Sequence, residues 1–160
     1  VVKLKANYQS IDLIAFLYRT MDEVSGATNY SHAFEVAFSH EFMMMQGDEK
    51  LLRNIFVNLL SNAIKFSPGK GKVGVSARLT QENIDVTIRD YGIGISPEDS
   101  KRVFEPFNRG SNTGEIKGTG LGLSIVKRAT EAMGGELQFE SKVGEGTTFT
   151  ITLPRRAEAG

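Results

Sequence analysis

Apolar residues recur at helical spacing over one long segment in the middle of the chain. Between residues 51 and 64 they are Leu51, Leu52, Ile55, Phe56, Leu59, Leu60, Ala63 and Ile64. This spacing predicts a helix whose apolar side packs in a core. Asp48 is placed to cap its start, and Ser67-Pro68-Gly69 ends it. Asn58, Asn62 and Lys65 fall at i, i+4 and i+7, so they form one polar stripe along the helix.

Shorter stretches of alternating or helical spacing lie on both sides of that segment. Alternating positions predict strands at 2–6, 33–38 and 42–46, a hairpin of 73–79 with 84–89, and a final hairpin of 136–140 with 147–153. Helical spacing predicts a helix from Ile11 to about Val24 and another at 121–133, which Gly134-Gly135 closes. A short helix is predicted after Ser96-Pro97. Residues 108–120 are rich in glycine and polar residues without periodicity, which indicates a long mobile loop.

Helices combined with mainly antiparallel strands predict an α+β two-layer sandwich, in which about three helices cover one face of a mixed sheet. A length of 160 residues with 40% hydrophobic content fits one domain with a real core. We expect that domain to span residues 1–154 and a disordered tail to occupy 155–160.

The charge and the composition narrow the classes of function. Nineteen basic and nineteen acidic residues cancel, which argues against broad electrostatic capture of nucleic acid or of a membrane surface. The chain has no cysteine, which excludes disulfides and thiolate metal sites. No apolar run approaches the roughly 18 residues that a membrane span needs. The chain begins with Val rather than Met, and we interpret it as a soluble fragment of a longer protein.

The polar stripe of the central helix is the first candidate site. It carries neutral amides where a surface helix usually carries Glu and Lys. Carboxamide oxygens can ligate a hard cation such as Mg²⁺, and a lysine one turn further on complements phosphate. The alternative, a solvated helix face, stays open on this segment alone.

The segment IRDYGIGIS, residues 88–96, is the second candidate. A strand ends in Asp90, and Gly92 and Gly94 follow. The two glycines allow backbone to come close to a flat ligand, and a carboxylate at the strand end can accept from the amino group of adenine, whereas the carbonyl of guanine would repel it. An ordinary turn is the alternative.

The segment KGTGLGLSIV, residues 117–126, is the third. Its glycines at 118, 120 and 122 lead into a helix, so free backbone N–H groups and the positive end of the helix dipole are available to phosphate. A flexible linker is the alternative. The spacing fits neither the dinucleotide fingerprint nor the P-loop.

Between the second and third segments lies FEPFNRG, residues 104–110, which predicts a small apolar anchor for the mobile loop and places Arg109 where it can reach a terminal phosphate.

Taken in order and spacing, five segments resemble the ATP-binding catalytic domain of sensor histidine kinases, within the group that includes the Hsp90, type II topoisomerase and mismatch-repair ATPases. NLLSNAIKFS resembles the N box, DYGIG the first glycine box, FEPF the F box, GTGLGL the second glycine box, and GEGTTF the closing segment. The resemblance runs from about residue 2 to Pro154.

The resemblance implies ATP and Mg²⁺ as ligands. Asn62, with Asn58 beside it, would ligate Mg²⁺, and Lys65 and Arg109 would contact phosphates. Residues 108–120 would form an ATP lid. The remaining nucleotide-binding positions implied are Phe66, Asp90, Gly92, Gly94, Ile95, Gly118, Thr119, Gly120, Leu121, Gly122, and Thr147 or Thr148.

The residue at position 58 distinguishes kinase from hydrolase chemistry. Hydrolysis needs a group that orients or deprotonates water, and the hydrolases of the resembling group carry Glu where this chain has Asn58. An imidazole acceptor brings its own lone pair. The resemblance therefore implies a cytoplasmic histidine kinase domain that phosphorylates a His on a separate dimerisation domain, within a homodimer that passes the phosphate to a response regulator. A degenerate nucleotide-binding scaffold and an ATP hydrolase are the alternatives.

Neither histidine of this chain is expected to be the phosphoacceptor. The segment SHEF around His40 imitates the acceptor sequence, but it lacks the downstream proline and lies between two predicted strands. His32 is a loop residue with nothing that favours it.

Overall fold

The computed structural model describes residues 5–27, 33–65, 72–100 and 122–156. Its elements are β1 Gln9–Asp12, α1 Leu13–Ala27, β2 Ala33–Phe38, β3 Met44–Gly47, α2 Glu49–Lys65, β4 Lys72–Leu79, β5 Asn83–Asp90, α3 Pro97–Ser100, α4 Gly122–Ala132, β6 Glu136–Lys142 and β7 Gly146–Pro154.

The main sheet has five strands in the order β2-β4-β5-β7-β6. Only the β2–β4 pair is parallel, and every other pair of this sheet is antiparallel. The long helix α2 packs against β5 and lies between α1 and α4. The predicted α+β sandwich with a mixed, mainly antiparallel sheet is therefore confirmed.

The alternation of the strands decides which sheet face is covered. On β5 the side chains of Ile84, Val86 and Ile88 are buried, whereas Asp85, Thr87 and Arg89 lie on the other face. The eight apolar residues of α2 that recur at helical spacing are all buried, as the spacing predicted. Burial of this matched helix and sheet surface supplies the driving force for the fold.

The ends of the helices follow the sequence signals. The carboxylate of Asp48 accepts from the backbone N–H of Lys50 at 2.9 Å and of Leu51 at 3.1 Å, so Asp48 is the N-cap of α2. Its second oxygen accepts from the N–H of Asn7 at 2.7 Å, which ties the start of the described chain to the central helix. Ser96 caps the short helix α3 in the same way, through the N–H of Asp99 at 3.1 Å.

The strand predicted at 2–6 is where the structure differs. Residues 1–4 lie outside the described ranges, Lys5 and Ala6 are not in a strand, and the first strand is β1. It pairs with β3 in a separate two-stranded sheet, which makes β3 a partner of β1 rather than of β2. The pairing joins segments more than 30 residues apart, and local alternation contains no information about such partners.

The backbone just beyond Pro154 is held by hydrogen bonds to two other segments. The N–H of Arg155 donates to the carbonyl of Glu82 at 2.9 Å, and its own carbonyl accepts from Gln46 at 2.8 Å. Residues 157–160 of the expected tail lie outside the described part. Within the described ranges, no helix combines the length and the apolar character that crossing a membrane requires.

Candidate functional site

Asp90 ends β5 as a buried carboxylate, with 5% of its surface exposed. One oxygen, Oδ1, accepts from the backbone N–H of Gly92 at 3.0 Å and of Thr147 at 3.2 Å. Within the described ranges, nothing donates to the other oxygen, Oδ2. Burial raises the pKa of Asp90 to about 6, against the lowering effect of these two N–H groups and of the Arg89 charge. The site therefore holds an acceptor that is ionised at neutral pH and open to a donor.

The register between β5 and β7 separates the two candidate threonines. Thr147 is opposite Asp90, and Thr148 is opposite Arg89. Paired residues share a face and neighbours alternate, so Thr147 lies on the side of the Asp90 carboxylate and is buried, whereas Thr148 lies on the outer side of the sheet. The register therefore favours Thr147 over Thr148, and the role of either threonine at the site stays a prediction.

The loop after Asp90 is packed tightly against the turn between β6 and β7. Gly94 has φ +74°, and a Cβ there would overlap the carbonyl of Lys142. Gly146 has φ +117°, and a Cβ there would overlap the backbone carbonyl of Asp90. The N–H of Gly144 donates to the carbonyl of Ile93 at 2.8 Å. A glycine is thus required at position 94 because the protein's own backbone comes close to it, which the sequence did not indicate. Contact between Gly94 and a ligand stays a prediction.

The amide stripe of α2 faces the start of α4. The side-chain nitrogen of Asn58 donates to the carbonyl of Asn54 at 2.6 Å, and the side-chain oxygen faces Gly122. A Cβ on Gly122, the first residue of α4, would lie 3.0 Å from that oxygen and 3.7 Å from the Asn62 amide nitrogen. Asn58 and Asn62 are half-buried, and Lys65 at the end of α2 is exposed.

The two parts of the site share one support. Helix α2 packs against β5, the strand that ends in Asp90, and against α4, whose N-terminus is the positive end of a helix dipole. The sheet contributes a carboxylate that can accept a hydrogen bond, and the helices that cover it contribute two amides and a helix N-terminus. These are the groups that a nucleoside phosphate needs.

Six of the predicted site residues lie outside the described ranges: Phe66, Arg109, Gly118, Thr119, Gly120 and Leu121. The apolar anchor at 104–107 and the whole loop at 108–120 lie there too. Their roles stay predictions.

One residue of the site was missed from the sequence. Ser141 on β6 accepts from the N–H of Ile95 at 2.6 Å and lies 2.7 Å from the Thr147 hydroxyl. A serine on a strand is an ordinary surface residue by pattern, and only the pairing of β6 with β7 places it beside Thr147, the residue opposite Asp90. Among the described residues there is no group of three or more His, Asp or Glu side chains that could hold a metal ion.

Comparison with known proteins identifies the family. Residues 47–157 match the family described as histidine kinase-, DNA gyrase B- and HSP90-like ATPases. The sensor-like histidine kinase SenX3 of Mycobacterium bovis is 45% identical over 115 residues, which are 71% of this chain and 28% of SenX3. The sensor histidine kinase WalK of Bacillus subtilis is 31% identical over 156 residues, 95% of this chain and 26% of WalK. The chain thus spans only about a quarter of these relatives.

Two solved structures share the fold over nearly the whole chain. The mycobacterial sensor histidine kinase MprB has a TM-score of 0.80 at 30% identity, covering 95% of this chain and 100% of the MprB chain. Full-length ShkA in complex with AMPPNP has a TM-score of 0.83 at 27% identity, covering 100% of this chain and 34% of ShkA. The chain therefore belongs to the family of histidine kinase-, DNA gyrase B- and HSP90-like ATPases, as a catalytic domain of the sensor histidine kinase type.

Proposed function

We propose that this domain binds ATP with Mg²⁺ between the Asp90 carboxylate and the amide stripe of α2. The observation that carries the proposal is Oδ2 of Asp90, which accepts from none of the described residues although it belongs to a buried side chain whose other oxygen is already bonded to two backbone N–H groups. An exocyclic amine on a purine supplies the missing donor. The complex of ShkA with AMPPNP supports a nucleotide as the ligand class.

The phosphates lie on the side of α4 in this proposal. The N–H groups at the start of α4 and the ammonium of Lys65 offer positive charge there. The oxygens of Asn58 and Asn62 suit Mg²⁺, which prefers oxygen ligands and retains several waters. When bound, the metal ion neutralises charge on the phosphate oxygens. Arg109 is assigned to the terminal phosphate from the sequence resemblance.

The reaction that fits this residue set is phosphoryl transfer to an imidazole. The acceptor nitrogen forms a bond to the γ-phosphorus, and the bond from that phosphorus to the bridging β–γ oxygen breaks, which leaves phosphohistidine and ADP. The carboxamide of Asn58 cannot accept a proton as a general base, which disfavours water as the nucleophile. Positioning and charge neutralisation are the contributions of this chain.

The acceptor histidine belongs, in this proposal, to a dimerisation domain elsewhere in the parent protein, which forms a homodimer and passes the phosphate to a response regulator. The histidine kinases that this chain resembles are three to four times longer than the matched part, so they have room for such a domain. The proposal leaves out His40 because the segment SHEF lacks the downstream proline of the acceptor sequence; the position of His40 in the bend between β2 and β3 supports this.

Calorimetric titration of ATP with and without Mg²⁺ tests the proposal. In the wild type we expect Mg²⁺ to strengthen binding, and Asn62→Ala to remove most of that gain, an effect of about tenfold from one lost ligand contact. Asn54→Ala is the matched control, because it removes an exposed amide from the same helix. Equal Mg²⁺ dependence in wild type and Asn62→Ala would contradict the metal assignment. No ATP affinity in the folded wild type would favour a scaffold function.

A further inference from the structure

The hydroxyl of Ser141 lies at the centre of three polar groups from two different segments. It is 2.6 Å from the N–H nitrogen of Ile95, 3.1 Å from the carbonyl oxygen of Gly146 and 2.7 Å from the Thr147 hydroxyl. Ile95 belongs to the loop after Asp90, and the other two residues begin β7. A single side chain thus joins the loop to the strand on either side of the Asp90 carboxylate.

Counting protons assigns a direction to each of these bonds. A serine hydroxyl has one proton and two lone pairs. The Ile95 N–H can only donate and the Gly146 carbonyl can only accept, so the serine proton goes to Gly146. The contact with Thr147 is then a hydrogen bond only if the threonine donates. This is the one assignment in which all three contacts are satisfied, and it fills the capacity of Ser141 completely.

The assignment has a consequence for Thr147. Its hydroxyl proton is committed to Ser141, so only lone pairs remain for a ligand. Its backbone N–H donates to Oδ1 of Asp90 at 3.2 Å. The Ser141 hydroxyl therefore orients Thr147, which in turn orients the Asp90 carboxylate. Two acceptors remain, Asp90 Oδ2 and Thr147 Oγ1, on residues that lie opposite each other in the β5–β7 pair.

We propose that Ser141 is a positioning residue for base recognition, which holds Thr147 and the 92–95 loop so that two acceptors face the amino group of the bound base. The proposal rests on the nucleotide site proposed above and adds a residue to it. It also explains why the loop and the β6–β7 turn are packed so closely at Gly94 and Gly146: the shape of the base site is set by both segments together.

Three variants of the whole 160-residue chain test this, with ATP as the probe in calorimetry. Ser141→Ala leaves the Ile95 N–H, the Thr147 proton and the Gly146 carbonyl without their partner, and we expect ATP affinity to fall about tenfold. Ser141→Thr keeps the hydroxyl on a strand that suits threonine, and we expect it to restore most of that loss. Ser76→Ala is the matched control, a half-buried serine of strand β4 in the same sheet that faces away from the site.

The pH dependence of affinity distinguishes positioning from mere structural support. Asp90 must be ionised to accept from the base, so affinity falls as pH falls through its pKa. Loosening Thr147 weakens an N–H bond to the ionised form, so Ser141→Ala should move the midpoint upward by about half a pH unit. The charged side chain that acts on Asp90 from the described residues is Arg89 on β5. It is unchanged by the substitution.

Each outcome has one meaning. Wild-type affinity in Ser141→Ala overturns the proposal, and so does a loss of affinity at an unchanged pH midpoint. A folded Ser141→Thr that binds as weakly as Ser141→Ala also overturns it, because the hydroxyl is then not what matters. Asp90→Asn is run alongside: if it retains wild-type affinity, the nucleotide site itself is wrong, whereas a strong loss there with none in Ser141→Ala refutes only the role of Ser141.

Discussion

Asp90→Asn should make the empty domain more stable while it weakens nucleotide binding. Burial raises the pKa of Asp90 from 3.8 to about 6. At about 1.36 kcal/mol per pH unit, that difference corresponds to about 3 kcal/mol against the ionised form in the folded state. Asparagine is neutral and has nearly the same shape, and its oxygen can accept from Gly92 and Thr147 as Oδ1 does. We therefore expect a gain of between about 1 and about 3 kcal/mol at pH 7.5.

The sign and the pH window follow from proton linkage. Between pH 4 and 6 the folded state holds the Asp90 proton more tightly than the unfolded state, so wild-type stability falls as pH rises through this window. Asparagine does not titrate there. The stability difference between the two proteins should be near zero below pH 4, grow up to pH 6 and remain constant above it. Other titrating groups cancel in this difference.

Urea unfolding at pH 4, 5, 6 and 7.5 measures the stability difference, and ATP calorimetry at pH 7.5 measures the functional cost. A hydrogen bond to a charged acceptor contributes about 1.5–3 kcal/mol, so the Asn variant should bind ATP roughly ten- to a hundredfold more weakly. A variant that is less stable than wild type at pH 7.5, or a stability difference that is independent of pH, would refute the reasoning. A gain in stability with a loss of binding would show a functional group maintained at a cost in stability.

Two further predictions concern backbone geometry and helix capping. Gly94→Ala should destabilise the domain by at least about 3 kcal/mol in urea unfolding and reduce ATP affinity, because its Cβ would overlap the Lys142 carbonyl. The control is Gly144→Ala, which should cost only about 1 kcal/mol because Gly144 also has a positive φ but open space where the Cβ would lie. Equal costs in the two variants would show that the close packing at Gly94 is unimportant. Asp48→Ala should reduce the free energy of unfolding by about 2 kcal/mol, because the N-cap of α2 and the hydrogen bond from the Asn7 N–H are both lost. Asp48→Asn should retain most of the stability. An Ala variant as stable as wild type in urea would contradict the capping role.

The stability of the site comes from its connection to the sheet. Asp90 is the last residue of a central strand, and Thr147, which holds it, is in a neighbouring strand. Catalytic and binding residues on such elements keep their geometry without a ligand. The β6–β7 turn therefore deserves the same interest in mutagenesis as the glycine-rich segments, although it carries no charged group of the site.

Local sequence was sufficient for much of the fold. The helical spacing of its apolar residues predicted α2, and alternation predicted the β4–β5 and β6–β7 hairpins, because burial of one face imposes a period on neighbouring residues. Capping by Asp48 and Ser96 was also readable, since an N-cap acts within three residues. The amide stripe could be selected as a candidate because neutral amides are unusual on a helix face, and Asp90 because a carboxylate at a strand end followed by two glycines suits recognition of a flat base.

Tertiary structure decided what depends on partners distant in the chain. The pairing of β1 with β3 joins segments that have no local signal for each other. Choosing Thr147 over Thr148 required the register of β7 on β5, because a shift of one residue would exchange their faces. The raised pKa of Asp90 and the contacts of Ser141 arise only when β5, β6 and β7 lie side by side. The sequence by itself determined most of the elements and the kinds of chemical group present; distance, burial and proton placement arise between segments, and only the folded chain determined them.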